Sequence, residues 1–141
     1  MTTTRFHHVG VGCKDPIATE RWYTRHFGFE RARVVPLGDD QIVFIKRGDL
    51  YLELFRATEA APATPEGSGP EYPAWKHLGF MVDSVDDKLA EMGDEAKVTL
   101  GPADFSAFIP GWKTAWIADP DGNIVEISEG FVDEENPPPL Q

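Results

Sequence analysis

The residues best equipped for chemistry in this chain are two histidines and two glutamates that recur in matching places. His8 and His77 each open a short apolar run broken by glycine, His8-Val9-Gly10-Val11 and His77-Leu78-Gly79-Phe80. Glu53 and Glu126 each interrupt an aliphatic run, Leu52-Glu53-Leu54 and Val125-Glu126-Ile127. His8 and Glu53 are 45 residues apart, and His77 and Glu126 are 49 apart. Strand side chains alternate faces with a period of two. His8 therefore shares a face with Gly10 and Gly12, and His77 shares one with Gly79. Glu53 lies with Tyr51 and Phe55 against an opposite row of Leu50, Leu52 and Leu54, and Glu126 lies with Ile124 and Ser128 against Val125 and Ile127. The aliphatic rows are the natural seats for helices, which leaves all four polar groups on the other side of their sheets. Brought together without a cation, two imidazoles and two carboxylates in a partly desolvated cleft would cost on the order of several kcal/mol or force protonation. A divalent metal removes that conflict, because imidazole nitrogen and carboxylate oxygen are its ordinary ligands. His8, Glu53, His77 and Glu126 are thus read as ligands of one ion. His7 has the opposite parity from His8, and His26 stands near a helix end; both are read as structural or solvent-facing. Cys13 is the only cysteine, so no internal disulfide, thiolate zinc site or CxxC pair is expected, and a buried, inert thiol is the reading.

The elements that must carry these residues follow one pattern twice. After His8 to Gly12, Asp15 can cap a helix with Pro16 in its first turn, and Ala18 with Trp22, or Tyr23 with Phe27, supplies an apolar face before Gly28. After Trp75 to Met81, Ser84 with Asp87 forms a capping signal, Val85, Leu89 and Met92 recur at helical spacing, and Gly93 stops the helix. Strand pairs then flank turn residues: Gln41–Ile45 and Leu50–Phe55 around Arg47-Gly48-Asp49, and Lys113–Ala118 and Asn123–Ser128 around Asp119-Pro120-Asp121-Gly122. Weaker strands are expected near Arg33–Leu37 and Lys97–Leu100. The fold class is α+β, with two tandem βαβββ modules forming curved mixed sheets around a metal-binding cleft. The chain is read as one domain over 1–141, with module one at 5–56, a linker at 57–73, module two at 74–130 and a tail at 131–141. The linker holds four prolines and two glycines, too broken for an element. The irregular stretch 101–111, with Phe105, Phe108 and Ile109, is expected to fold over a cleft.

The 141 residues make one domain's worth of chain, and 41% hydrophobic residues with nine Phe, four Trp and three Tyr can fill a core. Twenty-four acidic against 13 basic side chains give a net charge of −11, which argues against nucleic acid or an anionic membrane as partner. A small-molecule substrate fits better. No apolar run approaches 18 residues and no basic-then-apolar leader opens the chain, so a cytoplasmic location is expected.

His8-x-Gly10, Trp22-Tyr23 closing on Phe27-Gly28-Phe29, Leu52-Glu53-Leu54, His77-Leu78-Gly79-Phe80 and Asp119-Pro120-Asp121-Gly122-Asn123-x-Val125-Glu126 together resemble the vicinal oxygen chelate superfamily. That superfamily includes glyoxalases, epimerases, extradiol dioxygenases, fosfomycin resistance enzymes and metal-free bleomycin-binding proteins. The resemblance covers about residues 5 to 130 and is more specific for fold than for reaction. It puts metal ligands on His8, Glu53, His77 and Glu126, a set most similar to bacterial-type glyoxalase I. Gly12 and Ala57 stand where the resemblance would put that enzyme's glutathione-binding arginine and asparagine, so glutathione is not expected as the handle, while Arg56 next door is suited to another anion. Ser106 is the only serine in 101–113, unlike the serine-rich loop of the fosfomycin enzymes. The resemblance also implies a homodimer, and the site is open to formation within one chain or between chains.

Such a ligand set leaves two adjacent positions of an octahedral ion for a substrate with neighbouring oxygens, and coordination there stabilises an enediolate. Glu126 or Glu53 is the candidate base, and Tyr51, Phe55, Phe108 and Trp116 are candidate pocket walls. The expected activity is that of a divalent-metal-dependent, glyoxalase-like lyase or isomerase, with one nickel, cobalt, manganese, zinc or ferrous ion per site. An Fe(II)-dependent dioxygenase and a metal-free protein that binds a drug or metabolite without transforming it are the alternatives.

Overall fold

A computed structural model describes residues 2–140; Met1 and Gln141, the ends of the expected 1–141 domain, lie outside the described residues. The chain forms two compact units, one running to Thr64 and including Asp119–Asp121, the other comprising Pro65–Ala118 and the chain from Gly122 onward. Each unit is built around one four-stranded sheet.

In the first unit, β1 (His8–Cys13), α1 (Pro16–Phe27), β2 (Glu30–Leu37), β3 (Asp40–Arg47) and β4 (Leu50–Arg56) follow one another. The strand order is β1-β4-β3-β2, with β1 parallel to β4 and the remaining pairs antiparallel. A parallel pair needs a crossover, and α1 belongs to it. The Asp15 carboxylate accepts from the amides of Ile17 at 3.1 Å and Ala18 at 3.4 Å, and Pro16 occupies the first turn, as expected. The buried stripe of α1 comprises Pro16, Thr19, Trp22, Tyr23 and His26. Two of these are polar, and Ala18 and Phe27 are only partly covered. Leu52, Leu54 and Ile45 are fully buried, so the aliphatic row of β4 forms core as its alternation requires.

The polar members of the α1 stripe have partners. The Tyr23 hydroxyl donates to Asp119 Oδ2 at 2.8 Å, and the Thr19 hydroxyl donates to Asp121 Oδ2 at 2.6 Å. Asp121 Oδ1 accepts from the Lys14 amide at 2.7 Å, and Asp119 Oδ1 accepts from the Asp121 amide at 2.8 Å. Residues 119–121 therefore do more than turn the chain between strands, because their carboxylates anchor the start and middle of α1. Burial, with the neighbouring Asp119 carboxylate, pushes the Tyr23 hydroxyl well above its ordinary range and keeps it a donor.

In the second unit, β5 (Leu78–Met81), α2 (Val85–Met92), a 3₁₀ turn at Gly93–Glu95, β6 (Lys97–Asp104), β7 (Lys113–Ala118) and β8 (Ile124–Glu129) repeat the scheme. The order is β5-β8-β7-β6, again with the first strand parallel to the last. Ser84 Oγ accepts from the Asp87 amide at 3.1 Å, and the Val85 amide is satisfied by Glu129 Oε1 at 2.9 Å. Val85, Ala115, Ile117, Val125 and Ile127 are fully buried. The βαβββ modules are thus those expected, with two differences. The first strand of this unit is shorter than the run from Trp75, and Trp75 itself is exposed. In addition, β6 extends through Gly101-Pro102 to Asp104 with register shifts against β7, so only 105–111 of the expected irregular stretch lies outside the regular elements. A proline is tolerated there because β6 is an edge strand. Residues 57–77 contain neither helix nor strand, and no helix among the described residues is long and apolar enough to cross a membrane.

Candidate metal-binding pairs and an aromatic face

The parallel pairing of β1 with β4 sets Gly10 opposite Glu53, and that of β5 with β8 sets Gly79 opposite Glu126. A glycine beside each glutamate leaves its carboxylate room; a Cβ at Gly79 would stand 3.8 Å from Glu126 Oε2. Each histidine precedes its glycine by two residues, His8 as the first residue of β1 and His77 directly before β5. His8 Nε2 comes within 3.1 Å of Glu53 Oε1, and His77 Nε2 within 3.5 Å of Glu126 Oε1. Each module assembles its own imidazole–carboxylate pair. Among the described residues, no group of three or more His, Cys, Asp or Glu side chains stands close enough to hold a metal ion.

The other ring nitrogens bear on which groups these pairs can hold. His77 Nδ1 lies 2.7 Å from the Ser68 carbonyl oxygen. A carbonyl only accepts, so His77 Nδ1 carries the hydrogen, and a neutral ring then presents a bare Nε2 toward Glu126. A lone pair facing a carboxylate is favourable only with a proton or a cation between them. Imidazole nitrogen and carboxylate oxygen are donors of the type a divalent metal takes, and a proton on Nε2 satisfies the same contact. His8 Nδ1 lies 2.7 Å from His7 Nδ1, where one nitrogen must donate and the other accept. His7 can thus serve as acceptor for His8, fixing the same tautomer as in His77.

These orienting partners are what sequence reasoning missed. His7, read as structural or solvent-facing, is exposed but bonded to His8. Ser68 acts through its backbone, which no residue type announces. The nearest signal is the pair of glycines around it: Gly69 has φ +114°, and a Cβ there would collide with the Lys76 carbonyl oxygen and lie 3.1 Å from Lys76 Cγ. Only glycine allows the loop to approach Lys76 this closely, next to His77. His26 is buried in α1, with its ring 5.5 Å from Trp22. Cys13 is fully buried, and burial pushes its thiol up to about 12, consistent with an inert group.

The pocket-wall candidates fall in different surroundings. Tyr51 packs 5.3 Å from His7, and Phe55 lies 3.6 Å from where a Gly10 Cβ would be. Trp116, buried, stands edge-on to His77 at 6.4 Å. Phe108 is 78% exposed and touches Phe105. Rings continue along the second unit from Trp116 to Phe105 at 6.3 Å, Trp112 at a further 5.3 Å and Phe131 at 6.3 Å beyond. A Gly12 Cβ would lie 3.9 Å from Ala57 Cβ, so the two positions expected to lack glutathione-binding side chains adjoin. Arg56 is already engaged by Asp40 at 3.3 Å and the Lys14 carbonyl at 3.5 Å.

Two mixed sheets of βαβββ order, each bearing a His–Glu pair beside a glycine, define a protein of the glyoxalase type of fold. The Glyoxalase/Bleomycin resistance protein/Dioxygenase superfamily matches residues 5–127, and the chain belongs to it. No curated protein sequence matches. Among solved structures, the chain is similar to a glyoxalase family protein from Enterococcus faecalis (28% identity, TM-score 0.66, 92% of this chain and 100% of that one). It is also similar to a lactoylglutathione lyase from Agrobacterium tumefaciens (26% identity, TM-score 0.57, 92% and 96%). An antibiotic-binding protein from Streptomyces shares the fold (20% identity, TM-score 0.65, 93% and 99%). The superfamily's roles are mixed, covering glyoxalases, bleomycin resistance proteins and dioxygenases, and divalent metals are common in it.

Proposed function

We propose that the protein is a divalent-metal-dependent lyase or isomerase that moves a proton next to a carbonyl in a small substrate with neighbouring oxygens. In this reading His8, Glu53, His77 and Glu126 hold one ion in a homodimeric protein. The observation that carries it is the equivalence of the two pairs, in which an imidazole Nε2 approaches a carboxylate oxygen of the same module's last strand at 3.1 Å and at 3.5 Å. The Agrobacterium lactoylglutathione lyase, at 26% identity over nearly the full chain, supports the lyase class.

A bound divalent cation would supply Lewis-acid stabilisation of the negative charge that develops on the neighbouring oxygens. The histidines act as neutral donors whose tautomers are held by Ser68 and His7. The glutamates differ from them in being able to accept a proton. Glu126 or Glu53 takes the carbon-bound proton and the electron pair of that bond passes onto the substrate's carbonyl oxygen; the same carboxyl returns the proton at the former carbonyl carbon while the hydroxyl proton passes to the former carbonyl oxygen, leaving the new carbonyl at the first carbon. No net oxidation occurs, and no oxygen is consumed.

The test is proton exchange. Nickel- or cobalt-loaded protein incubated anaerobically in D2O with hydroxyacetone is expected to exchange the carbon-bound protons next to the carbonyl, read by NMR. Glu126→Gln is expected to lose at least about 100-fold of this exchange while retaining metal. Unchanged exchange in Glu126→Gln would exclude it as the base. A product that forms only with oxygen would move the protein to the dioxygenase class, and no metal uptake at all would move it to the binding proteins.

A further inference from the structure

The second unit has a concavity of about 260 Å³ against Glu126, lined also by Gly79, Met81, Trp112, Ser128 and Phe131. Its construction is specific. Trp112 is fixed by a 2.9 Å hydrogen bond from its Nε1 to Ser128 Oγ, and Ser128 is two residues from Glu126 on the same strand face. Phe131 is set edge-on to Trp112 at 6.3 Å because Gly130 turns with φ +81° in contact with the Gly111–Trp112 backbone. A Cβ at Gly130 would collide with the Gly111 carbonyl oxygen and lie 3.1 Å from the Trp112 amide nitrogen. Despite this ordering, Met81 and Phe131 are 58% and 46% exposed.

Charge and size narrow the occupant. Among the described residues, Glu126 is the only ionisable group lining the space, and no basic side chain lines it. The nearby Lys113 is held by Asp86 at 2.7 Å. With Glu126 given to the cation in the reading above, an anionic handle such as a peptide carboxylate would find no cationic side chain in the groove to pair with. The volume is below the roughly 300–1,000 Å³ of drug-sized sites, but exceeds the roughly 150 Å³ cavity that holds a benzene molecule. Ring edges and faces of Trp112 and Phe131, with the Met81 thioether, favour a flat apolar group.

We propose that this groove takes the uncharged aromatic end of the substrate, so that the substrate is an aryl-bearing compound with neighbouring oxygens rather than a glutathione conjugate. The inference rests on the function proposed above only for the placement of those oxygens near Glu126. The test is titration of the full-length protein, with and without nickel, by three probes: 2-hydroxyacetophenone, hydroxyacetone and S-hexylglutathione. Affinity is read by calorimetry, and contact by the NMR shift of the Trp112 indole N–H. Burying a phenyl in place of a methyl in an open groove is expected to favour 2-hydroxyacetophenone by about tenfold, with the Trp112 signal moving on its addition. Phe131→Ala, at an exposed position beyond the last strand, is expected to cut that preference about fivefold. Equal binding of the two ketones, tighter binding of S-hexylglutathione, an unmoved Trp112 signal or an unchanged preference in Phe131→Ala would each overturn the proposal. If the aryl preference holds but nickel is not bound, the groove assignment stands and the metal reading falls; if nickel binds but the preference is absent, the reverse follows.

Discussion

Replacing His7 by phenylalanine isolates one hydrogen bond near the proposed metal site. In the native protein His7 Nδ1 lies 2.7 Å from His8 Nδ1, and the His7 ring packs 5.3 Å from Tyr51 and 6.3 Å from Phe44. Phenylalanine retains a ring for those contacts and removes the nitrogen that, as acceptor, would hold His8 in the tautomer with a bare Nε2. Loss of an orienting partner of a metal-binding histidine costs roughly 10–100-fold in metal affinity. Both imidazoles are exposed, so water can replace the lost acceptor and the lower end applies: about tenfold, or about 1.4 kcal/mol. Competition with a chromogenic chelator, with nickel or cobalt, measures this directly. Ser68→Ala is the matched control on the other pair, because His77 is held by the Ser68 backbone carbonyl and the substitution leaves that group in place. The expected pattern is a tenfold loss in His7→Phe and native affinity in Ser68→Ala. Native affinity in His7→Phe, or an equal loss in both variants, would refute the assignment of His7 as the orienting group.

Two further predictions concern stability and reactivity. Tyr23→Phe keeps the ring contacts of Tyr23 with Trp22 and Phe29 but removes the hydroxyl donated to the buried Asp119 carboxylate; a hydrogen bond to a charged group is worth about 2 kcal/mol, so urea unfolding should show that loss with an unchanged slope, and a change below about 0.5 kcal/mol would count against this contact. Cys13, raised from 9.0 to about 12 by burial, should react with a thiol reagent at pH 8 only after unfolding. Its native state keeps the proton between pH 9.0 and about 12 while the unfolded thiol ionises, so its contribution to stability is complete below that window and falls as pH rises through it; rapid labelling of native protein, or stability that is flat across the window, would contradict this.

Much of the fold was legible because its signals are local. Asp15-Pro16 and Gly28 bound α1, the Ser84 cap opens α2, and the period-two alternation around Glu53 and Glu126 assigns both glutamates to the face away from the leucines and isoleucines. The pairing of each histidine with the glutamate of its own module followed from the repeat, since each pair joins the start and the last strand of a module at similar separations, 45 and 49 residues. The harder features depend on contacts distant in sequence. Asp119 and Asp121 carry the signature of a turn, and nothing near them in sequence indicates that their carboxylates receive Tyr23, Thr19 and the Lys14 amide. The same applies to Thr19, whose place in the buried stripe of α1 is acceptable only with a remote acceptor. Gly101-Pro102 reads as a break, yet β6 continues through it at a sheet edge, where the missing amide is not required. Ser68 contributes a carbonyl oxygen, for which every residue is equally qualified.

The proposed chemistry depends most on His8, Glu53, His77 and Glu126 serving a single ion. Cobalt titration of the native protein, followed calorimetrically, is expected to give one ion per chain. The paired substitutions His8→Ala with Glu53→Gln, or His77→Ala with Glu126→Gln, are each expected to abolish that one site. Two ions per chain, each lost independently with its own His–Glu pair, would contradict the shared centre and the chemistry assigned to it.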